Sequence, residues 1–170
     1  MLTRACDKPR LKQKPPPEPT IRPAFSLLTA KSPAGARGLI ACSLERADWT
    51  HEAHLAACLY LLTERRDLDV DAEIAGLISR FNESVGGVND DQGGYHDTIT
   101  RAYVTGVRLF LAETEEAGLS AQVNALLLSP VGAREWPLRF YSHDLLFSVA
   151  ARRGYVAPDL APLAIPRAAP

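Results

Sequence analysis

Apolar residues recur at helical spacing from Thr50 onward. His51, His54, Leu55, Cys58 and Leu62 fall at i, i+3, i+4, i+7 and i+11, a single stripe of a helix. Asp48 or Thr50 is its N-cap, and Glu52 in the first turn suits the positive end of the helix dipole. Ile74, Leu77, Ile78 and Phe81 predict a second helix over 71–84, with Asp69 or Asp71 as cap. A third is predicted over 95–117, placing His96, Ile99, Tyr103, Val107 and Phe110 on one face. Val123, Leu126 and Leu127 mark a fourth over 120–129, stopped by Pro130. In "VGAREWPLRFY" Trp136, Leu138 and Phe140 alternate with polar residues, the pattern of an extended or irregular packing segment. Ser142 caps a last helix, "HDLLFSVAARRG", with Asp144 near its start, Arg152 and Arg153 near its end, and Gly154 as its C′ residue. With no convincing strand pair, these elements define an all-α fold, a compact bundle of four to five helices.

Charge divides the chain unevenly. Residues 1–37 hold eight Lys/Arg against two acids (+6), residues 38–170 eleven Arg against eighteen acids (−7), and these sum to the net −1. The first 36 residues are basic, proline-rich and without periodicity, and are expected to form a disordered tail. The helical domain is then 37–163, and 164–170 a C-terminal tail. An acidic domain repels phosphate backbones, which argues against nucleic acid as a partner. No apolar run reaches the ~18 residues of a membrane span, so no membrane partner is expected. Cys6, Cys42 and Cys58 make neither a CxxC pair nor an even disulfide set, in keeping with a reducing, cytoplasmic location. The N-terminus lacks the apolar core of a secretory signal and "KPPPEP" forbids the helix of a mitochondrial presequence, so a prokaryotic, bacterial cytosol is expected.

The histidines carry the candidate chemistry. His51 and His54 stack one turn apart, and His96 opens a facing helix; three imidazoles with an open fourth position suit a catalytic divalent metal such as Zn, Fe or Mn. Metal-bound water attacking an unknown small-molecule substrate, by hydrolysis or metal-assisted group transfer, is the matching reaction class. Asp97 and Glu52 each adjoin a proposed ligand and are the candidates for orienting an imidazole or moving a proton. The alternative is a non-catalytic interaction or small-molecule-binding module whose histidines form a structural, hydrogen-bonded cluster. The loop "GGVNDDQGG" lacks both the P-loop lysine and the GxGxxG spacing, and its aspartates repel phosphate. It reads instead as a rim where Asn82, Asn89, Tyr95, Thr98 and Thr100 line a pocket, or where the asparagines satisfy turn backbone. Ser142-His143-Asp144 has the letters of a triad, but consecutive residues cannot adopt its geometry.

The segments "WTHEAHLA", "FNESVGGVNDDQGGYHDTIT" and "PLRFYSHDLLFSVAARRGYVAPDLAPL" resemble the motifs of a widespread family of uncharacterised bacterial proteins, over about residues 43–163. The resemblance places His51, His54 and His96, with Tyr95, Thr98 and Thr100, inside those motifs. Asp97 stands where the family pattern has Glu, and His143 where it has Arg. No activity comes with the resemblance.

Overall fold

The computed structural model describes residues 36–165; the expected disordered segment lies outside them except for Ala36, as does most of the C-terminal tail. Ala36 belongs to the described part of α1, residues 36–40, where Ala36 and Leu39 are fully buried against Ala57 and Phe81. The globular body therefore includes at least one residue assigned to the tail from sequence, because burial of two small apolar faces outweighs local composition.

Six further helices follow: α2 (His51–Glu64), α3 (Val70–Ser84), α4 (Asp97–Glu113), α5 (Leu119–Leu128), α6 (His143–Leu146) and α7 (Val149–Arg153). There is no strand among the described residues. The cap of α2 is Thr50, whose hydroxyl accepts from Ala53 N at 3.3 Å. The cap of α3 is Asp69, accepting from Asp71 N and Ala72 N at 3.1 and 3.2 Å. α2 is the central helix, packed on α4 and α5, and six of its residues from Leu55 to Leu61 are buried. This is a wide apolar band rather than a stripe, as a helix enclosed by neighbours requires.

α4 begins two residues later and ends four earlier than the periodicity predicts, and His96 is its N-cap rather than part of its inward face (φ −139°, ψ 107°). The predicted last helix is two short ones. The chain leaves helical geometry after Leu146, and Ser148 caps α7 by accepting from Ala151 N at 3.1 Å. Gly154, which ends α7, is extended (φ −159°) rather than left-handed.

Between α5 and α6 the irregular segment forms two 3-10 turns, Pro130–Gly132 and Trp136–Arg139. Trp136 is 1% exposed and stacks beside Phe140 and Tyr103, with ring centroids 5.0 and 5.8 Å away. It lies directly over Gly106 of α4, where an added Cβ would come within 2.6 Å of the indole. Gly106 is thus fixed by close approach, not by backbone freedom. Arg108 forks onto Asp71 at 2.7 and 3.0 Å, linking α3 to α4 at the surface, where such a pair contributes about 0–1 kcal/mol. No helix among the described residues is long and apolar enough to cross a membrane.

Candidate functional site

Each proposed histidine ligand is directed to its own partner. His51 Nε2 donates to the carbonyl of Gly132 at 2.9 Å, with its ring edge-on to Tyr103. His54 Nδ1 donates to the carbonyl of Thr50 at 2.7 Å, and its ring lies against Trp49, centroids 3.9 Å apart. His96 uses both nitrogens: Nε2 donates to Leu146 O at 3.0 Å, and Nδ1 accepts from Ile99 N at 3.4 Å. A carbonyl only accepts and an amide N–H only donates, so these contacts fix the tautomers. His96 has no lone pair left for a cation unless it gives up its cap.

The three-histidine metal centre expected from spacing is therefore not assembled. Among the described residues no group of three or more His, Cys, Asp or Glu side chains is placed to hold a metal ion. Helical spacing sets His51 and His54 one turn apart, but it cannot show that nearby carbonyls compete for their ring nitrogens, Gly132 O for His51 and Thr50 O for His54.

The two carboxylates are also engaged elsewhere. Asp97, 7% exposed, accepts from Tyr95 Oη at 2.8 Å and from Arg101 Nε at 2.8 Å. Glu52 sits in the first turn of α2, where backbone N–H and the Thr50 hydroxyl hold its carboxyl below the usual range. Neither contacts a histidine ring nitrogen by hydrogen bond. Thr98 is fully buried: its hydroxyl donates to Gly154 O at 2.9 Å and accepts from Val156 N at 3.0 Å, tying the chain after α7 to α4.

Asn82 and Asn89 form a staple for the glycine-rich loop. Asn89 Oδ1 accepts from Asn82 Nδ2 and Tyr95 N at 3.0 and 2.9 Å, while its Nδ2 donates to Ser79 O and Glu83 Oε1 at 3.1 and 2.9 Å. Gly94 passes close beneath it with φ +77°; a Cβ there would sit 2.3 Å from Val88 O. Every hydrogen-bonding site of the Asn89 amide is thus used. Asn89→Ala is expected to lower stability by about 1–3 kcal/mol by stripping partners that are mostly half-buried. A fall in the urea midpoint with unchanged m-value checks this.

What His54 and His96 do border, and His51 does not, is a cavity of about 250 Å³ between α2, α3 and α4. Leu55, Cys58 and Leu61 of α2, Ile74 and Ile78 of α3, and Ile99 and Val104 of α4 form its apolar wall. Trp49, His54, Tyr95, Thr100 and Tyr103 are its half-buried polar and aromatic border, joined by Leu39 and His96. Among the described residues no Asp, Glu, Lys or Arg lines it. Of the residues expected to line a pocket, Tyr95 and Thr100 do so here; Asn82, Asn89 and Thr98 do not. Trp49 and Tyr103 were missed. Trp49 precedes the cap of α2 and so belongs to no helical stripe, although an aromatic just before an N-cap is a known packing signal.

Burial sets the chemistry of the lining groups. Desolvation, only partly offset by the Thr50 carbonyl, pushes the His54 pKa down to about 4, so the imidazole is neutral at pH 7. His96 is likewise lowered, first by desolvation and then by the Arg152 charge. Desolvation raises the Cys58 thiol to about 12, which leaves it a small apolar wall residue rather than a nucleophile. Tyr95 is raised, by burial first and by its bond to Asp97 next, and Tyr103 is raised by burial. The cavity is thus lined by neutral groups.

Comparisons of the chain with protein-family models, with curated proteins and with solved structures gave no match.

Proposed function

We propose that this protein is a small-molecule-binding module whose ligand is a compact, uncharged, largely apolar molecule held between α2, α3 and α4. One observation carries the reading: a cavity of about 250 Å³ with an aliphatic wall and, among the described residues, no charged side chain in its lining. Apolar cavities of about 150 Å³ take up benzene, so this volume suits a bicyclic or similarly sized body. A few polar groups placed around an apolar chamber are the usual composition of a ligand pocket. The histidines then serve as architecture and border. Each has a carbonyl partner, so none needs a metal to satisfy it.

Indene, a rigid apolar bicycle, is a suitable probe. At roughly 0.5 kcal/mol per non-hydrogen atom over about nine atoms, its Kd is expected on the order of 0.1–1 mM. Isothermal titration calorimetry on the full chain checks this, with a negative heat-capacity change as the mark of apolar burial. Absence of any heat or thermal stabilisation up to the solubility limit of indene would overturn the proposal.

A further inference from the structure

We propose that His54 makes the pocket selective for ligands that carry one N–H or O–H donor on an apolar body, by accepting that hydrogen bond at Nε2. This rests on the reading of the cavity as a ligand site, and adds to it the chemical class of the ligand.

A neutral imidazole has one donor and one acceptor nitrogen. His54 spends its donor locally. Nδ1–H goes to the Thr50 carbonyl at 2.7 Å, the same oxygen that accepts the His54 backbone N–H at 3.0 Å. Nε2 is left as a lone pair, and it has no hydrogen-bond partner among the described residues. Trp49 packed on the ring at 3.9 Å holds its orientation.

Both phenols of the lining are already donating. Tyr95 donates to Asp97 at 2.8 Å, and Tyr103 to the carbonyls of Ala133 and Arg134 at 2.9 and 3.0 Å. His96 has both nitrogens committed. Among the lining side chains, His54 holds the one imidazole nitrogen with an unused lone pair, a stronger acceptor than the phenol oxygens of Tyr95 and Tyr103, which have spent their protons. A donor on the ligand satisfies it, whereas a carboxylate meets a lone pair and no counter-charge in the pocket.

Indole and indene separate this claim from the one beneath it, since they share shape and differ in one N–H group. Calorimetric titration of the full chain is expected to show indole binding about three- to tenfold tighter than indene, the size of one net hydrogen bond. In His54→Phe, which keeps the aromatic contact with Trp49, the order should invert. Indole must then desolvate its N–H with no acceptor to receive it. A wild-type protein that binds both equally, or indene better, overturns the selectivity and leaves the pocket standing. Binding of neither probe overturns the pocket itself. An indole preference that survives in His54→Phe overturns the assignment to His54. Should that variant fail to fold, imidazole nitrogen NMR on the wild type decides the matter. The unprotonated nitrogen of His54 must shift on adding indole and not on adding indene, and an unmoved resonance refutes the proposal.

Discussion

Replacing Trp136 with alanine is expected to destabilise the protein by about 3–5 kcal/mol, the range for deleting a fully buried aromatic. The indole is 1% exposed and fills, beside Val131, the space over Gly106. It touches Phe140 and Tyr103, so its loss opens a void beside the wall of the cavity. Trp136→Phe should cost much less, about 1–2 kcal/mol. It retains most of the ring, and Nε1 of Trp136 has no hydrogen-bond partner among the described residues to lose. Chemical unfolding of the two variants side by side checks the claim. Equal losses would mean that the ring volume is not what Trp136 supplies.

Acid should weaken the fold earlier than its carboxylates can explain. His54 and His96 both have folded pKa values below the ordinary 6.5, His54 at about 4. As pH falls below about 6.5 the unfolded chain takes up protons at these positions while the folded one does not. Stability is then level above that value and declines between about 6.5 and 4. For His54 the decline is on the order of 2 kcal/mol, discounted because the ring is half-buried and partly screened. His96 adds to it, since protonated Nδ1 can no longer accept from Ile99 N and the cap of α4 is lost. The lowered carboxyls of Glu52, Asp67, Asp71 and Asp159 act in the opposite sense of charge, and their stabilisation is lost only below about 4.5. Urea unfolding from pH 7.5 to 4.5 separates the two sets. His54→Phe should flatten much of the slope in this window, and an unchanged slope would assign it elsewhere.

How much of this was legible in the sequence depended on whether a feature was local. The apolar spacing of α2 to α5 is a property of each segment, so their existence and approximate bounds could be read directly. His96 could not. Its capping role depends on one amide three residues on, while its second bond reaches Leu146, fifty positions away. The split between α6 and α7 turns on Ser148, which reads equally well as a mid-helix serine until its hydroxyl is seen on Ala151 N. That the three histidines are not brought together among the described residues has a related reason. Spacing tells which rings share a face, but the Thr50, Gly132 and Leu146 carbonyls that take their protons come from a cap, a turn and a distant helix. The cavity itself is formed by three helices and the residues before α2, so only Tyr95 and Thr100 among its border were anticipated for a pocket.

The most direct measurement locates the probe. Intermolecular nuclear Overhauser effects from indene protons in the complex are expected to reach the methyl groups of Leu55, Leu61, Ile74, Ile78 and Val104, which wall the cavity. Effects confined instead to the exposed apolar side chains Phe147, Val149, Tyr155 and Leu160 would mean that the surface, not the chamber beside His54, is what the ligand meets.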